Sequence, residues 1–197
     1  SDDAGVSWRL LGDMDNIVPS PVVDSRLYAE WSGVWRRSDD FGTTWSDLPA
    51  APSYVRLALD AKEAATLYAL TYIGDVSAGY TSRDGGATWR RWESPCRIGS
   101  EQLVADSLRA GTLYIECSSP ADGLHRSADY GATWEPLSDL RGYLLQPDGG
   151  RPGHLLRVTE DVLWRSADQG ETWASLLSYP KPAALQDAAL YLPGIRR

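Results

Sequence analysis

Short apolar runs closed by an aspartate recur along the chain: Val22-Val23-Asp24, Leu57-Ala58-Leu59-Asp60, Leu103-Val104-Ala105-Asp106, Leu144-Leu145-Gln146-Pro147-Asp148 and Leu185-Gln186-Asp187. Each is followed by an apolar pair: Leu27-Tyr28, Leu67-Tyr68, Leu113-Tyr114, Leu155-Leu156 or Leu190-Tyr191. Runs this short, interrupted by Gly and Pro about every ten residues, fit strands and turns and are too brief for amphipathic helices.

An octapeptide recurs in phase with these runs. It reads SDDAGVSW at 1–8, SDDFGTTW at 38–45, SRDGGATW at 82–89, SADYGATW at 127–134 and SADQGETW at 166–173. Its fixed positions are Ser1, Asp3, Gly5 and Trp8; Ser38, Asp40, Gly42 and Trp45; Ser82, Asp84, Gly86 and Trp89; Ser127, Asp129, Gly131 and Trp134; and Ser166, Asp168, Gly170 and Trp173. The Ser and Asp side chains can hydrogen-bond nearby backbone and fold the chain into a tight turn. The Gly supplies a positive φ that a Cβ would penalise. The Thr that follows (Ser7 in the first copy) returns the chain to an extended strand. The Trp buries its ring against neighbouring strands and offers an indole N–H to a partner. Each period therefore reads as strand, Asp turn, strand with Leu-Tyr, loop, strand, box and strand, and four antiparallel strands in roughly 40 residues make one propeller blade.

The tail Gly194-Ile195-Arg196-Arg197 is basic, as are the residues before other boxes (Arg36-Arg37, Arg126 and Arg165), so it reads as the strand leading into the box at 1–8. Residues 1–197 are thus expected to form a single all-β domain. The expected architecture is a five-bladed β-propeller of four-stranded antiparallel blades, its ring closed by N- and C-terminal strands sharing one blade; the alternative is a piece of a larger, seven- or ten-bladed propeller. Such closure removes exposed sheet edges.

Composition agrees with this reading: nine Trp and ten Tyr stand against one Phe in a Gly-rich chain, as expected of all-β structure. The net charge of −8, with basic residues scattered, argues against a nucleic-acid partner. No run approaches the roughly 20 apolar residues of a transmembrane segment, and no basic start precedes an apolar stretch as in a signal peptide. Cys96 and Cys117 are the only thiols and fall on one expected face, so a disulfide is expected. A disulfide points to an oxidising compartment and a secreted, periplasmic or cell-surface location. There is no CxxC motif or Cys/His cluster, so no metal or other cofactor is expected.

The octapeptides resemble the Asp-box (BNR) repeats of sialidases, sortilin-type receptors, certain xyloglucan-cleaving hydrolases and photosystem II assembly factors, and the resemblance runs the length of the chain. It implies that the boxes lie between the third and fourth strands of each blade, as scaffold, and that ligands bind the opposite face. That face is expected to carry the loops Glu30-Trp31-Ser32, Tyr72-Ile73-Gly74-Asp75, Ser118 to Asp122 and Glu160-Asp161, with the inter-blade stretches 13–20, 48–54, 93–101 and 179–183. A sialidase would also carry an Arg-Ile-Pro motif near its first blade, whereas the nearest string here, Arg97-Ile98-Gly99, lacks the Pro and lies mid-chain. The xyloglucan-cleaving enzymes pair two seven-bladed rings, for which this sequence is too short.

The expected ligand-binding residues are Trp31, Tyr72, Asp75 and Asp122. The two aromatics suit sugar stacking or a protein hot spot. Asp13, Asp15, Asp75, Asp122 and Asp161 could supply a carboxylate pair for glycoside hydrolysis, although loop Asp residues more often cap turns. The strand-closing Asp24, Asp60, Asp106, Asp148 and Asp187 would ring one mouth of the central channel, or simply form turns. His125 stands before its box where other copies carry Trp35, Tyr80 and Trp164, and reads as a packing variant. The leading functional expectation is a non-catalytic, extracytoplasmic recognition or scaffold propeller for protein or glycan. The alternatives are a glycoside hydrolase using acidic loop residues and an assembly factor for a membrane complex.

Overall fold

The apolar pairs and the boxes become the interior strands and turns of four antiparallel sheets in the computed structural model. It describes residues 5–8, 10, 12, 14–48, 55–73, 76–96, 100–117, 123–138, 142, 144–159 and 162–178. The first sheet holds β1 (Asn16–Pro19), β2 (Leu27–Trp31), β3 (Val34–Ser38) and β4 (Ser46–Asp47). The second holds β5 (Val55–Leu59), β6 (Leu67–Ile73), β7 (Val76–Ser82) and β8 (Arg90–Glu93). The third is β9 (Ser100–Ala105), β10 (Leu113–Cys117), β11 (Leu124–Ser127) and β12 (Glu135–Ser138), and the fourth is β13 (Leu144–Pro147), β14 (Leu155–Thr159), β15 (Val162–Ser166) and β16 (Ala174–Ser178). In every sheet the strands lie in chain order. The first strands of successive sheets touch (β1 to β5, β5 to β9, β9 to β13), which puts them along one inner surface. The residues expected to complete a fifth blade, 179–197 and 1–4, lie outside the described residues, so the described structure is an array of four sheets without a closed ring.

Each box connects the third and fourth strands and is closed by its own side chains. In the box at 38–45, Ser38 Oγ accepts from Gly42 N (2.8 Å) and donates to Asp40 Oδ1 (2.8 Å). Asp40 in turn accepts from Thr44 N (2.8 Å) and Thr44 Oγ1 (2.6 Å). The same set recurs at Asp84, Asp129 and Asp168. The Trp indole N–H finds its partner within the box, donating to the carbonyl of its own box glycine in three copies: Trp45 to Gly42, Trp89 to Gly86 and Trp173 to Gly170. Hydrogen bonds from Thr44, Thr88 and Thr172 hold the carboxyls of Asp40, Asp84 and Asp168 down at about 2.

The recurring Asp and Tyr belong to one turn. Asp60 Oδ1 accepts from Lys62 N and Glu63 N, while its Oδ2 accepts from Tyr68 Oη (2.7 Å) and from Gly111 N of the third sheet (2.8 Å). Asp106 repeats the turn with Leu108 N, Arg109 N and the Tyr114 hydroxyl. Both carboxylates are buried and fully engaged, so they do not ring a channel mouth. Asp24 is also out of register with this series: Ser20 takes the turn position, its Oγ accepting from Val22 N and Val23 N. The shorter side chain leaves the buried Tyr28 hydroxyl without the acceptor its equivalents have.

Box glycines also set how sheets pack. The residue three positions past each box Trp leans onto the next sheet's box glycine. A Cβ on Gly86 would lie 3.0 Å from Leu48 Cδ2, one on Gly131 2.8 Å from the Trp92 ring, and one on Gly170 2.8 Å from Leu137 Cδ1. Their φ values of 95°, 83° and 90° exclude a side chain a second time. Trp92 is the largest of these anchors. It lies over Gly79, its cross-strand neighbour, donates Nε1–H to Thr81 Oγ1 (3.1 Å) and packs against Trp134 with ring centroids 5.1 Å apart and the planes tilted by 45°. The Cys96–Cys117 disulfide ties the segment after β8 to the end of β10, with the Cα atoms 5.2 Å apart.

Two outcomes follow from this packing. Gly79→Ala would put a Cβ 2.0 Å from Trp92, and denaturant melts are expected to show a loss of about 1–3 kcal/mol, the usual range for core overpacking. The low box carboxyls stabilise the fold fully above the ordinary Asp range and lose that contribution as pH falls from about 4 through about 2. Urea midpoints measured across that window should drop for the parent protein. Asp84→Asn should start lower at neutral pH and drop less.

Candidate functional site

The two ends of the sheets differ in what their side chains have left to offer. At one end stand the boxes and the turns between first and second strands, stitched together by backbone bonds such as Gly85 N to Ala65 O and Tyr130 N to Gly111 O. Their carboxylates and hydroxyls are spent on those turns. The other end carries the hairpins between second and third strands. Trp31 pairs with Val34 across a two-residue turn, Ser32 (φ 52°) and Gly33 (φ 77°), the left-handed pair typical of tight hairpins.

Of the expected site residues, Trp31 and Tyr72 lie among the described ones, in strands that run to this second end. Trp31 is the last residue of β2 rather than a loop residue; it is 47% exposed and carries the Arg36 guanidinium 4.8 Å over its ring. Tyr72 is likewise within a strand, paired in register with Ser77, because β6 and β7 run to seven residues each. Asp75 and Asp122 lie outside the described residues, as do Asp13 and Asp161. Glu30, expected in a loop, is buried in β2 and accepts from Asn16 Nδ2 (2.8 Å). In register, Arg36 and not Trp35 is the equivalent of His125; Trp35 aligns instead with Gly79 and Leu124.

What the sequence reading missed is a cavity of about 400 Å³ near the inner strands, lined by Asn16, Trp35, Arg56, Leu57, Gln102 and Leu103. Asn16, Arg56 and Gln102 hold the same place on three successive first strands, each four residues before the turn residue Ser20, Asp60 or Asp106. A signal was present, since these are polar residues in otherwise apolar runs. It became readable only once Ser20 replaced Asp24 in the alignment of turns. Glu116, paired with Gln102 on β10, leads into a second unforeseen feature. Its carboxylate meets Arg157 of the fourth sheet at 2.7 and 3.0 Å and accepts from Gly142 N at 2.7 Å, with both side chains almost wholly buried. A carboxylate so fully paired is an inter-sheet clamp with no capacity left for chemistry. Among the described residues no group of three or more His, Cys, Asp or Glu side chains is placed to hold a metal ion.

Comparison with known proteins agrees with this geometry. Residues 80–91, the end of β7 with its box and the start of β8, match the BNR/Asp-box repeat model. A xyloglucanase from Paenibacillus sp. is 28% identical over 123 residues, covering 62% of this chain and 9% of its own length. The chain therefore spans less than a tenth of that relative. The GH74 xyloglucanase of Xanthomonas campestris superposes with a TM-score of 0.64 at 20% identity, over 85% of this chain and 31% of that one. YCF48 bound to D1 peptide superposes with a TM-score of 0.53 at 18% identity, over 78% of this chain and 51% of that one. At these identities the structural likenesses concern the fold. The chain carries a BNR/Asp-box repeat match at residues 80–91 and has a β-propeller fold.

Proposed function

We propose that this chain is a non-catalytic recognition or scaffold propeller that acts outside the cytoplasm and binds protein or glycan through the face opposite its Asp-boxes. The observation that carries the reading is the exposed Trp31–Arg36 stack at the hairpin end, near an open polar cavity. The box carboxylates are bound to their own turns, and a second cavity of about 430 Å³ beside Arg83 and Tyr130 opens at that other end. Trp31, Tyr72, Asp75 and Asp122 are the residues we assign to that face. Rigid aromatic surface beside polar groups is the usual composition of a binding hot spot. YCF48 bound to D1 peptide supports a peptide ligand on this fold, and the xyloglucanase likeness supports a glycan. The disulfide supports an oxidising, extracytoplasmic compartment. Among the described residues no helix is long and apolar enough to cross a membrane.

We further propose that residues 179–197 and the box at 1–8 supply a fifth blade that closes the ring. By the packing rule of the other sheets, Leu176 is the anchor for the next box, yet it is 43% exposed, and Trp8 of the box at 1–8 is 81% exposed. Leu176 seated on Gly5 would cover both.

The face is tested by screening glycan and peptide arrays with the parent chain and with Trp31→Ala and Tyr72→Ala. Loss of the captured ligand in both variants, with unchanged melting, is the expected result; full retention would count against this face. Release of reducing sugar from xyloglucan would favour the hydrolase reading instead. Closure is tested by Leu176→Asp: a buried anchor costs about 2–5 kcal/mol when lost, while an exposed one leaves the urea midpoint unchanged.

A further inference from the structure

Three clefts separate the boxes at 38–45, 82–89, 127–134 and 166–173, and the middle one differs from the other two in charge. Each cleft carries one residue of the third strand: Arg37, Thr81 or Arg126, paired with Tyr28, Tyr68 or Tyr114. The cross-strand neighbour of that residue on the fourth strand is Ser46, Arg90 or Glu135. Between the third and fourth sheets, Arg126 meets Glu135 at 2.7 Å and Glu171 at 3.1 Å, and donates to Gln169 O. Between the first and second, Arg37 meets Asp39 at 3.1 Å and reaches to Gly85, where a Cβ would lie 2.9 Å from its Nη1. In both, an arginine fills the cleft and the chain supplies its carboxylates. The middle cleft reverses this pattern. Thr81 stands in the arginine's place, its Oγ1 donating to Tyr130 O (2.7 Å), the counterpart of Gln169 O. Arg83 takes the box position of Asp39, Arg90 stands where the third sheet has Glu135, and Ala132 takes the box position of Glu171. The shorter Thr81 leaves a cavity of about 430 Å³ lined by both arginines, Thr88, Asp129 and Tyr130.

We infer that the middle cleft binds an acidic side chain of a polypeptide partner, the carboxylate that its neighbours hold within the chain being brought from outside. Arg83 and Arg90 form the binding pair, each with a planar fork of N–H donors that matches two carboxylate oxygens. Arg83 is 60% exposed, lies 4.3 Å over the Tyr130 ring and has a single ion pair, to Glu63 at 3.5 Å. Arg90 is exposed, and its guanidinium makes no ion pair or hydrogen bond among the described residues. Two carboxylates border the cleft, and both are engaged. Asp129 accepts from Ser127 and Thr133, and Glu63 from the Tyr130 hydroxyl (2.9 Å) and Thr66 (2.7 Å). A box aspartate does not keep other carboxylates away: Asp168 holds the same box position beside the cleft in which one arginine carries both Glu135 and Glu171. The counterparts also select the ligand class, because Asp39, Glu135 and Glu171 are all side-chain carboxylates. A net charge of −8 offers an acidic ligand no general attraction, so capture rests on this local pair. The surface lies at the box end and goes beyond the recognition role proposed for the opposite face.

The experiment titrates the full chain into a dye-labelled hexaglutamate peptide and follows fluorescence anisotropy. Two variants borrow residues from the first sheet, Arg83→Asp and Arg90→Ser. Both change exposed side chains, so their urea midpoints should match the parent. The parent should bind with a Kd below about 1 mM at low salt, and each variant should weaken binding about tenfold or more. Salt at about 0.5 M should weaken the parent as well, since exposed pairs are screened. Arg90→Lys should recover most of what Arg90→Ser loses, a rescue that a purely structural role would not give. Arg151→Ser, which removes an exposed charge from the turn after β13, should leave binding unchanged. No binding up to about 1 mM, or equal weakening by Arg151→Ser, would overturn the inference. Tighter capture of a heparin hexasaccharide through the same two arginines would also overturn it, by assigning the cleft to a sulfated glycan.

Discussion

Sheet-to-sheet packing in this protein depends on one repeated contact, an apolar side chain seated where a box glycine has no Cβ. Leu48, Trp92 and Leu137 each reach across to Gly86, Gly131 or Gly170. Because the glycine sits in the turn between third and fourth strands, the contact fixes the height of one sheet against the next at the outer edge. The inner edge is fixed separately, by the first strands touching one another. Two fixed edges leave little freedom in how successive sheets are rotated, and a propeller array follows from that restriction. The box glycine therefore serves twice: its positive φ makes the turn, and its missing side chain makes the socket.

Polar groups strengthen the same joints where apolar contact alone is thin. Asp60 closes its own turn and also accepts from Gly111 in the following sheet. Glu116 and Arg157 clamp the third sheet to the fourth within a nearly dry interior. Such a pair stabilises little by itself against an apolar alternative, but losing one partner would strand a buried charge. These joints concentrate side-chain commitments within and between sheets. The hairpin end holds the exposed Trp31 beside Arg36, and the box end holds the exposed Phe41 and Arg83.

That division explains how far a candidate site was legible. The fold could be read because its determinants are local: Ser, Asp, Gly and Trp within eight residues supply every partner the turn needs. Trp31 and Tyr72 were expected in loops but lie within strands, since strand length is set by cross-strand pairing that local pattern does not reveal. Asp24 looked like a member of the turn series from its position before Leu27-Tyr28, and only hydrogen bonding gave that role to Ser20. The cavity residues were missed because Asn16, Arg56 and Gln102 are separated by forty residues or more and become neighbours only when three sheets stand side by side.

The sequence by itself determined the repeat, the strand content, the box turns and the chance of a Cys96–Cys117 bridge, each a matter of short-range chemistry or of two side chains sharing a face. Tertiary structure decided which donors stay uncommitted. The indole N–H groups of Trp45, Trp89 and Trp173 are spent on their own glycines, while that of Trp35 lies buried without a partner. The first three are the last residues of their boxes, whereas Trp35 stands in the strand that precedes one. The box turn itself brings a glycine carbonyl to each of those three, whereas packing between sheets decides what surrounds Trp35.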